Sequence, residues 1–353
     1  MSQTPQHIRM GGAPEGYDAK LILAELERDG TGAVLHVARD DKRLAAMRAA
    51  LRFFASDVPV LEFPSWDCLP FDRMSPQADI SAERMVTLAA LQAGLAVPSI
   101  VLSTLGAATQ YIPPRAMLDG ASFAARVGGR IDEAGLRSFL ARMGYMQAPT
   151  VTEPGDYAVR GGIIDVWPPG APQPIRLDLF GDVLDGARHF DPATQRTSEK
   201  LESVELAPMS EISLDDASSR RFRQNYRIEL GAAGSDDPLY EAISAGRKHA
   251  GMEHWLPFFH DRLETLFDYL PGATVTTDDQ TEPQRQARWE AMLDQYDARR
   301  EAMGQKGRLD TVYKPCPPEQ LYLNQAAWDA ALNGHRRVAF SPPAQASGPG
   351  VAD

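Results

Sequence analysis

Residues 33–54 read AVLHVARDDKRLAAMRAALRFF, and this stretch decides the fold of the first third of the chain. Residues 33–38 are an apolar run that predicts a buried strand, whereas residues 40–54 carry apolar side chains at helical spacing. Two further apolar runs, residues 59–63 and 99–104, also predict strands. Strands that alternate with helices of about 12 to 15 residues indicate βαβ units and a parallel sheet.

Residues 1–119 are therefore assigned to one α/β domain. Residues 20–28 and 80–91 complete its helices, with Ser81 expected to cap the second of them. From residue 120 the pattern changes to one helical piece followed by short β-like runs separated by Gly and Pro turns. The runs are residues 157–160, 162–167, 174–180 and 189–191. We expect residues 120–207 to form a small α+β domain with an antiparallel sheet.

A third segment, residues 208–340, again mixes helices and strands. The helix candidates are residues 217–229, 238–244 and 282–303, and the strand candidates are residues 273–277 and 337–340. The remaining residues, 341–353, read SPPAQASGPGVAD and predict a flexible linker. A linker at this place indicates a chain cut from a longer protein.

The composition favours a folded cytoplasmic protein. The 353 residues are 43% hydrophobic and 24% charged, and no apolar run approaches the roughly 18 to 20 residues of a membrane span. Lys and Arg number 36 against 48 Asp and Glu, and the net charge of −12 argues against general nucleic-acid binding. Only Cys68 and Cys316 are present, so a disulfide framework and a thiolate zinc site are not expected. The seven histidines show no spacing typical of a metal site.

The first candidate site is a degenerate phosphate-binding loop. Gly11 and Gly16 keep the glycine spacing of GxxxxGK[ST], but Tyr17 and Asp18 stand in place of the Lys and the Ser/Thr. Glu15 adds another negative charge. Because an anionic side chain at a helix N-terminus repels phosphate, we expect this loop to be inactive. The alternative is a Gly-rich turn that begins a helix.

A second candidate completes that site. Residues 273–277 predict a strand that ends in Asp278 and Asp279, where a P-loop ATPase carries carboxylates for magnesium and water. Without the lysine, these acids would not restore activity. The alternative is that two acids after a strand form a common turn.

The third candidate is a protein-binding surface. Arg160 and Arg176 lie on adjoining predicted strands, and Phe180 follows four residues after the second arginine. Arginine beside an aromatic anchor is the usual composition of an interface hot spot. The alternative is that both arginines pair with Asp165 or Asp178 on a solvated sheet face.

Longer motifs carry a family resemblance. YAVRGGIIDVWPPG at residues 157–170, IRLDLFGDVLDGARHFDPATQRT at 175–197 and FPSWDCLPFDRMSPQADISAERMVTLAAL at 63–91 resemble the N-terminal region of the bacterial transcription-repair coupling factors (Mfd). Residues 100–114, 250–259 and 266–271 resemble it too, so the likeness covers about residues 10–340. In that family the region is related to the excision-repair protein UvrB.

The resemblance implies a UvrB-like fold without UvrB's nucleotide chemistry. It implies a degenerate P-loop, helicase-like parallel α/β domain in two segments, residues 1–119 and 208–340, with residues 120–207 inserted as a small α+β domain. It implies that this chain neither binds nor hydrolyses ATP and has no cofactor, since ATP and Mg serve the absent motor domains of the parent. Residues 64–79 are too few to hold the β-hairpin with which UvrB probes damaged DNA.

The resemblance also implies the partners. The inserted domain docks onto UvrA, and the family's motif residues correspond here to Arg160, Arg176 and Phe180. RNA polymerase and DNA are bound through absent parts of the parent, and a C-terminal domain of the parent is expected to cover the UvrA surface. The leading hypothesis is thus an adaptor that recruits UvrA to stalled transcription. The rival is an active, ATP-dependent UvrB-like damage-loading enzyme.

Overall fold

The computed structural model describes residues 7–12, 16–29, 32–231, 237–278, 280–304 and 313–341. In these ranges the strands are β1 (His7–Met10), β2 (Ala33–Ala38), β3 (Val60–Phe63), β4 (Ser99–Thr104), β5 (Phe123–Arg126), β6 (Met146–Gln147), β7 (Asp156–Arg160), β8 (Ile163–Val166), β9 (Ile175–Phe180), β10 (Val183–Phe190), β11 (Thr197–Leu201), β12 (Ser203–Leu206), β13 (Thr274–Thr277) and β14 (Arg337–Phe340).

The helices of the same ranges are α1 (Tyr17–Asp29), α2 (Asp41–Phe54), α3 (Ala78–Ala93), α4 (Leu105–Ala108), α5 (Glu133–Arg142), α6 (Asp216–Leu230), α7 (Pro238–Ser244), α8 (Leu266–Tyr269), α9 (Thr281–Gly304), α10 (Pro318–Leu321) and α11 (Gln325–Ala331). Short 3-10 helices occupy Arg115–Met117 and Met252–Phe258. No helix in the described ranges is long and apolar enough to cross a membrane.

A six-stranded parallel sheet forms the body, in the order β1-β14-β13-β2-β4-β3. Its central strands β2 and β4 are buried along their whole length, as is typical of parallel strands covered on both faces. Leu35 and Val101 pack into one apolar cluster with α3, whereas Val34 and Ile100 pack into another with α1 and α2. The strands of this sheet come from both ends of the chain, which confirms the expected fold class.

The residues between β4 and β13 in the sequence form a second, largely antiparallel sheet. Its strand order is β11-β10-β9-β8-β7-β6, and its β6–β7 pair is parallel. Leu177 and Ile164 point from it into an apolar core shared with α5, and the intervening positions face outward. A separate ladder pairs β12 with β5. The alternation of Leu177 and Asp178 is therefore that of a strand with one wet face, as predicted.

Helices α6, α7, α9 and α10, with the 3-10 helix Met252–Phe258, surround an aromatic core, whereas α8 and α11 pack onto the parallel sheet. Phe222 stacks on Phe259 with ring centroids 4.8 Å apart, and Tyr226 and Phe258 complete the same cluster. Just before α6, Glu211 forms a buried ion pair with α3, because Nε of Arg84 donates to its carboxylate at 2.6 Å.

Two local predictions were wrong. Ser81 does not cap α3, because the helix begins one turn earlier and the Ser81 amide donates to the carbonyl of Gln77. The side chain of Asp67 accepts from the backbone amide of Gln77 at 3.0 Å, a contact made at the residue that precedes the first turn of α3. Residues 189–191 are not a separate strand: His189 and Phe190 end β10, and Asp191 follows it. The register shift of β10 between Leu184 and Gly186 hides its alternation in the sequence.

Candidate functional site

The degenerate loop follows the edge strand β1. Of its residues, Ala13, Pro14 and Glu15 lie outside the described ranges, so the effect expected of Glu15 stays a prediction. The Asp18 carboxylate is buried and accepts from the backbone amides of Gly16 and Ala19, each at 3.0 Å. In a working loop, backbone amides at this place bind phosphate. Here an aspartate of the chain itself uses two of them.

The loop lies close to the crevice between β2 and β13. The connection that follows β2 runs to the β4–β3 side of the sheet, whereas the connection that follows β13 runs to β14 on the other side. The strand order therefore reverses between β2 and β13. Ligands of open α/β sheets bind in such a crevice, outside the carboxyl ends of the strands. Asp278 follows β13 there, and Arg43 enters it from the first turn of α2. Asp279 lies outside the described residues.

A buried ion triad of Asp18, Arg43 and Asp278 occupies the crevice. Nη2 of Arg43 lies 2.5 Å from Asp18 and 2.8 Å from Asp278, and Nε of Arg43 donates to Asp278 at 3.2 Å. The Arg39 amide also donates to Asp278 at 3.0 Å. Burial lowers the pKa of Arg43, but the hydrogen bonds and charges of both aspartates outweigh it and raise that pKa. The two acids therefore pair with a cation of the chain itself.

His36 extends this triad into the sheet. Its Nδ1 lies 2.9 Å from the Thr276 hydroxyl, and its Nε2 lies 3.8 Å from Asp278. Burial lowers the pKa of His36 despite the nearby acids. Burial would raise the pKa of Asp278, but the hydrogen bonds from Arg43 and the Arg39 amide, with the charge of Arg43, outweigh it and lower that pKa. Neutral His36 beside ionised Asp278 is thus the expected state at neutral pH.

The predicted protein-binding residues share the outward face of the antiparallel sheet, which we call the docking face. The register aligns Asp165 of β8 with Arg176 of β9, and Arg160 with Ile163 at the adjacent hairpin. Side chains directly opposite each other on antiparallel strands lie on one face, and every second residue returns to it. Arg160, Asp165, Arg176 and Phe180 therefore lie on the same side, opposite the core.

Both arginines bind one carboxylate. Arg176 donates through Nε and Nη2 to the two oxygens of Asp165 at 2.7 and 2.8 Å, and Arg160 donates to Oδ2 at 2.5 Å. The ion pairing that the sequence left as an alternative thus occurs with Asp165. Asp178 instead pairs with Arg188 at 2.9 Å. The hydrogen bonds to Asp165 are the main reason that the pKa of Arg176 is raised.

Phe180 supplies the apolar part of this face. It ends β9 at the hairpin that leads into β10, and 81% of its side chain is exposed. Arg160 is half exposed at the neighbouring hairpin, whereas Arg176 is largely covered. The three predicted residues therefore share one face, which carries an exposed ring and two guanidinium groups oriented by Asp165.

The structure also shows a pair that the sequence did not suggest. Sγ of Cys68 lies 3.8 Å from Nε2 of His254, although 186 positions separate the two residues. Burial and the charges of Glu253 and Asp67 raise the thiol pKa to about 12, and burial lowers the pKa of His254 to about 4. A thiolate nucleophile needs a lowered pKa, so this pair is not prepared for such chemistry. Among the described residues no group of His, Cys, Asp and Glu could hold a metal.

Comparison with known proteins supports the resemblance. Residues 123–212 match the family described as UvrB interaction domain. Over 96% of its length the chain is 30% identical to the transcription-repair-coupling factor of Haemophilus influenzae, and over 94% it is 31% identical to that of Escherichia coli K12. The protein of the same name from Myxococcus xanthus is 35% identical over 73% of the chain. The chain is a relative of the transcription-repair-coupling factors.

The chain spans less than a third of the length of these coupling factors, 29%, 28% and 22% respectively. The match to the UvrB interaction domain contains Arg160, Asp165, Arg176 and Phe180 and hence the whole docking face as defined above. The ion triad lies outside this match. The docking face and the buried triad thus belong to different parts of the chain.

Arg43, His36, Asp165 and Gln195 were not predicted as site residues. Arg43 could have been found, because it lies one turn after a strand at the carboxyl edge of a parallel sheet. Asp165 was considered only as an alternative ion-pair partner. Gln195, which binds Arg176, carries no local signal in the sequence.

Proposed function

We propose that this chain is a cytoplasmic adaptor that docks the excision-repair protein UvrA and does not hydrolyse nucleotide itself. Within a longer protein it would recruit UvrA to stalled RNA polymerase for transcription-coupled nucleotide-excision repair. The docking face carries this proposal, because Arg160, Arg176 and Phe180 share one outward surface inside the match to the UvrB interaction domain.

The composition of the docking face suits a protein partner. Tyr, Trp and Arg are enriched in the few residues that carry most of the energy of an interface, and an exposed phenylalanine adds apolar area to be buried. Phe180 is the large apolar side chain of this face that is most exposed to solvent. Arg160, which is 48% exposed on the same face, uses one guanidinium nitrogen to bind Asp165, and a partner can reach its other donor groups.

The ion triad supports the second half of the proposal. Asp18 uses the amides of Gly16 and Ala19, and Arg43 neutralises carboxylates that a nucleotide site would offer to magnesium. Tyr17, in place of the loop lysine, is half exposed. A phosphate entering here would meet Asp18 without a lysine to balance it.

Further partners follow from the family resemblance and remain part of the proposal. Binding of RNA polymerase and DNA, and the use of ATP and Mg, would belong to other parts of the longer relatives. A C-terminal domain covering the docking face would make recruitment switchable.

Calorimetry tests both halves on the whole chain. Titration with UvrA should give measurable binding that is weakened in Arg176→Ala and Phe180→Ala, whereas titration with Mg-ATP should give no heat. Unchanged UvrA affinity in both variants would remove the docking assignment. Binding of Mg-ATP would instead support the nucleotide-dependent loading enzyme.

A further inference from the structure

We propose that Asp165 is a positioning residue of the docking face, which holds Arg160 and Arg176 in the geometry they have when UvrA binds. This inference rests on the proposed UvrA docking. The Asp165 side chain is fully buried, so it is not itself available to a partner. Its effect on binding must therefore pass through the two arginines that it holds.

The cluster of Arg160, Arg176 and Asp165 keeps a net positive charge that is available to a partner. One carboxylate is shared by two guanidinium groups, so the cluster keeps one positive charge. Arg160 is 48% exposed and presents that charge to solvent. Arginine side chains lose much rotamer freedom when a partner orders them, and a group that orders them beforehand removes this loss from the binding step.

Arg176 is held from a second side as well. Its guanidinium lies 4.7 Å from the centre of the Phe190 ring and donates to both the carbonyl and the side-chain oxygen of Gln195, each at 3.3 Å. Gln195 has a φ of 59°, in the left-handed region that residues with side chains rarely adopt. The Gln195 amide donates to the carbonyl of Asp191, whose carboxylate accepts from Thr194, and these bonds hold the turn.

Asp165→Asn tests the proposal, because it keeps the side-chain shape and removes the charge. We expect UvrA affinity to fall about tenfold, since two arginines would have to be ordered on binding. The matched control is Glu133→Gln, which removes an exposed carboxylate that pairs with Arg137 on α5, on the opposite side of the sheet from the docking face, and should alter affinity less than about twofold.

A background variant separates positioning from a merely structural role. In Arg160→Ala/Arg176→Ala, adding Asp165→Asn should leave the remaining UvrA affinity unchanged, because Asp165 then has no arginine to position. The NMR signal of the Arg176 Nε–H, distinct in the parent through its bond to Asp165, should shift towards that of a free arginine in Asp165→Asn.

The affinities of these variants distinguish a positioning role of Asp165 from a failure of the docking function itself. Affinity unchanged by Asp165→Asn, or an equal loss with and without the arginines, overturns the positioning role. If Asp165→Asn does not fold, Gln195→Asn is decisive, because it shortens the side chain that binds Arg176 and tolerates the positive φ. It should weaken UvrA binding about threefold, and no change would overturn the proposal. If Phe180→Ala and Arg160→Ala also bind UvrA normally, the docking function itself has failed.

Discussion

Arg43 binds Asp278 through two nitrogens, at 2.8 and 3.2 Å, although 235 positions separate the two residues. The contact joins the first turn of α2 to the end of β13 and so connects the early and late strands of the parallel sheet. Asp18 binds the same guanidinium at 2.5 Å. A cation of the chain thus occupies a crevice where this class of sheet usually binds a ligand.

Replacing Arg43 by Ala should destabilise the chain strongly. The change leaves two buried carboxylates without their cation, and breaking a buried pair from one side costs about 3 to 5 kcal/mol. Urea unfolding of parent and variant measures the loss. Arg48→Ala is the control, since Arg48 pairs with Glu62 from a position 40% exposed and should cost less than about 1 kcal/mol. Equal losses would show that the triad has no special role in stability.

Phe180→Ala should weaken UvrA binding by about 1 to 3 kcal/mol without changing the unfolding transition, because the ring is exposed in the free chain. Phe53→Ala is a matched control: Phe53 is 82% exposed and Phe180 81%, but Phe53 lies at the end of α2, outside the UvrB interaction domain match. Calorimetry with UvrA, paired with thermal unfolding, measures both. A comparable loss of affinity for the two variants would contradict a localised docking face.

Stability should fall as pH decreases from about 6.5 to about 4. The pKa of His254 is lowered by burial from 6.5 to about 4, so the unfolded chain takes up a proton before the folded chain does. This difference removes about 3 kcal/mol of stability at the low end of the range. His36 and His260, whose pKa values are lowered mainly by burial, add to the effect.

Urea titrations at several pH values from 8 to 5 give the slope of the unfolding free energy against pH. His254→Gln should flatten it relative to the parent, with pH 8 as the reference where the imidazole is neutral in both states. An identical slope in the two proteins would mean that His254 does not titrate as proposed.

The buried pair of Arg84 and Glu211 should show strong coupling. Arg84 also stacks on Phe63 at 4.1 Å and donates to the Pro64 carbonyl, so its loss affects several contacts. Glu211→Leu alone should cost about 3 to 5 kcal/mol, whereas adding Arg84→Met should recover much of the loss, because apolar replacements remove the uncompensated charge. Unfolding free energies of the parent, the two single variants and the double variant complete the cycle. Additive losses would argue against a coupled pair.

Several elements were predictable from local pattern. The apolar runs at residues 33–38 and 99–104 are β2 and β4 with the same bounds, because a continuous apolar run between helical stretches has few other solutions. Exposed polar strands such as β11, which reads TSEKL, carry no such signal and form only because β10 offers a partner edge. Edge strands depend on tertiary pairing more than on their own side chains.

The candidate site residues show the same contrast between a local sequence signal and a tertiary contact. Periodicity and motif spacing were enough to select Arg160, Arg176, Phe180 and Asp18, because these residues belong to short, recognisable stretches. Only the folded chain brings Asp165 under both arginines and Arg43 between Asp18 and Asp278. Such ion pairs form where sheet register and helix packing place opposite charges together in a buried space. The partners of Arg43 lie 25 and 235 positions away, and no local pattern encodes such pairings. Asp165 is close to both arginines in the sequence, but the strand register decides that it binds the two together.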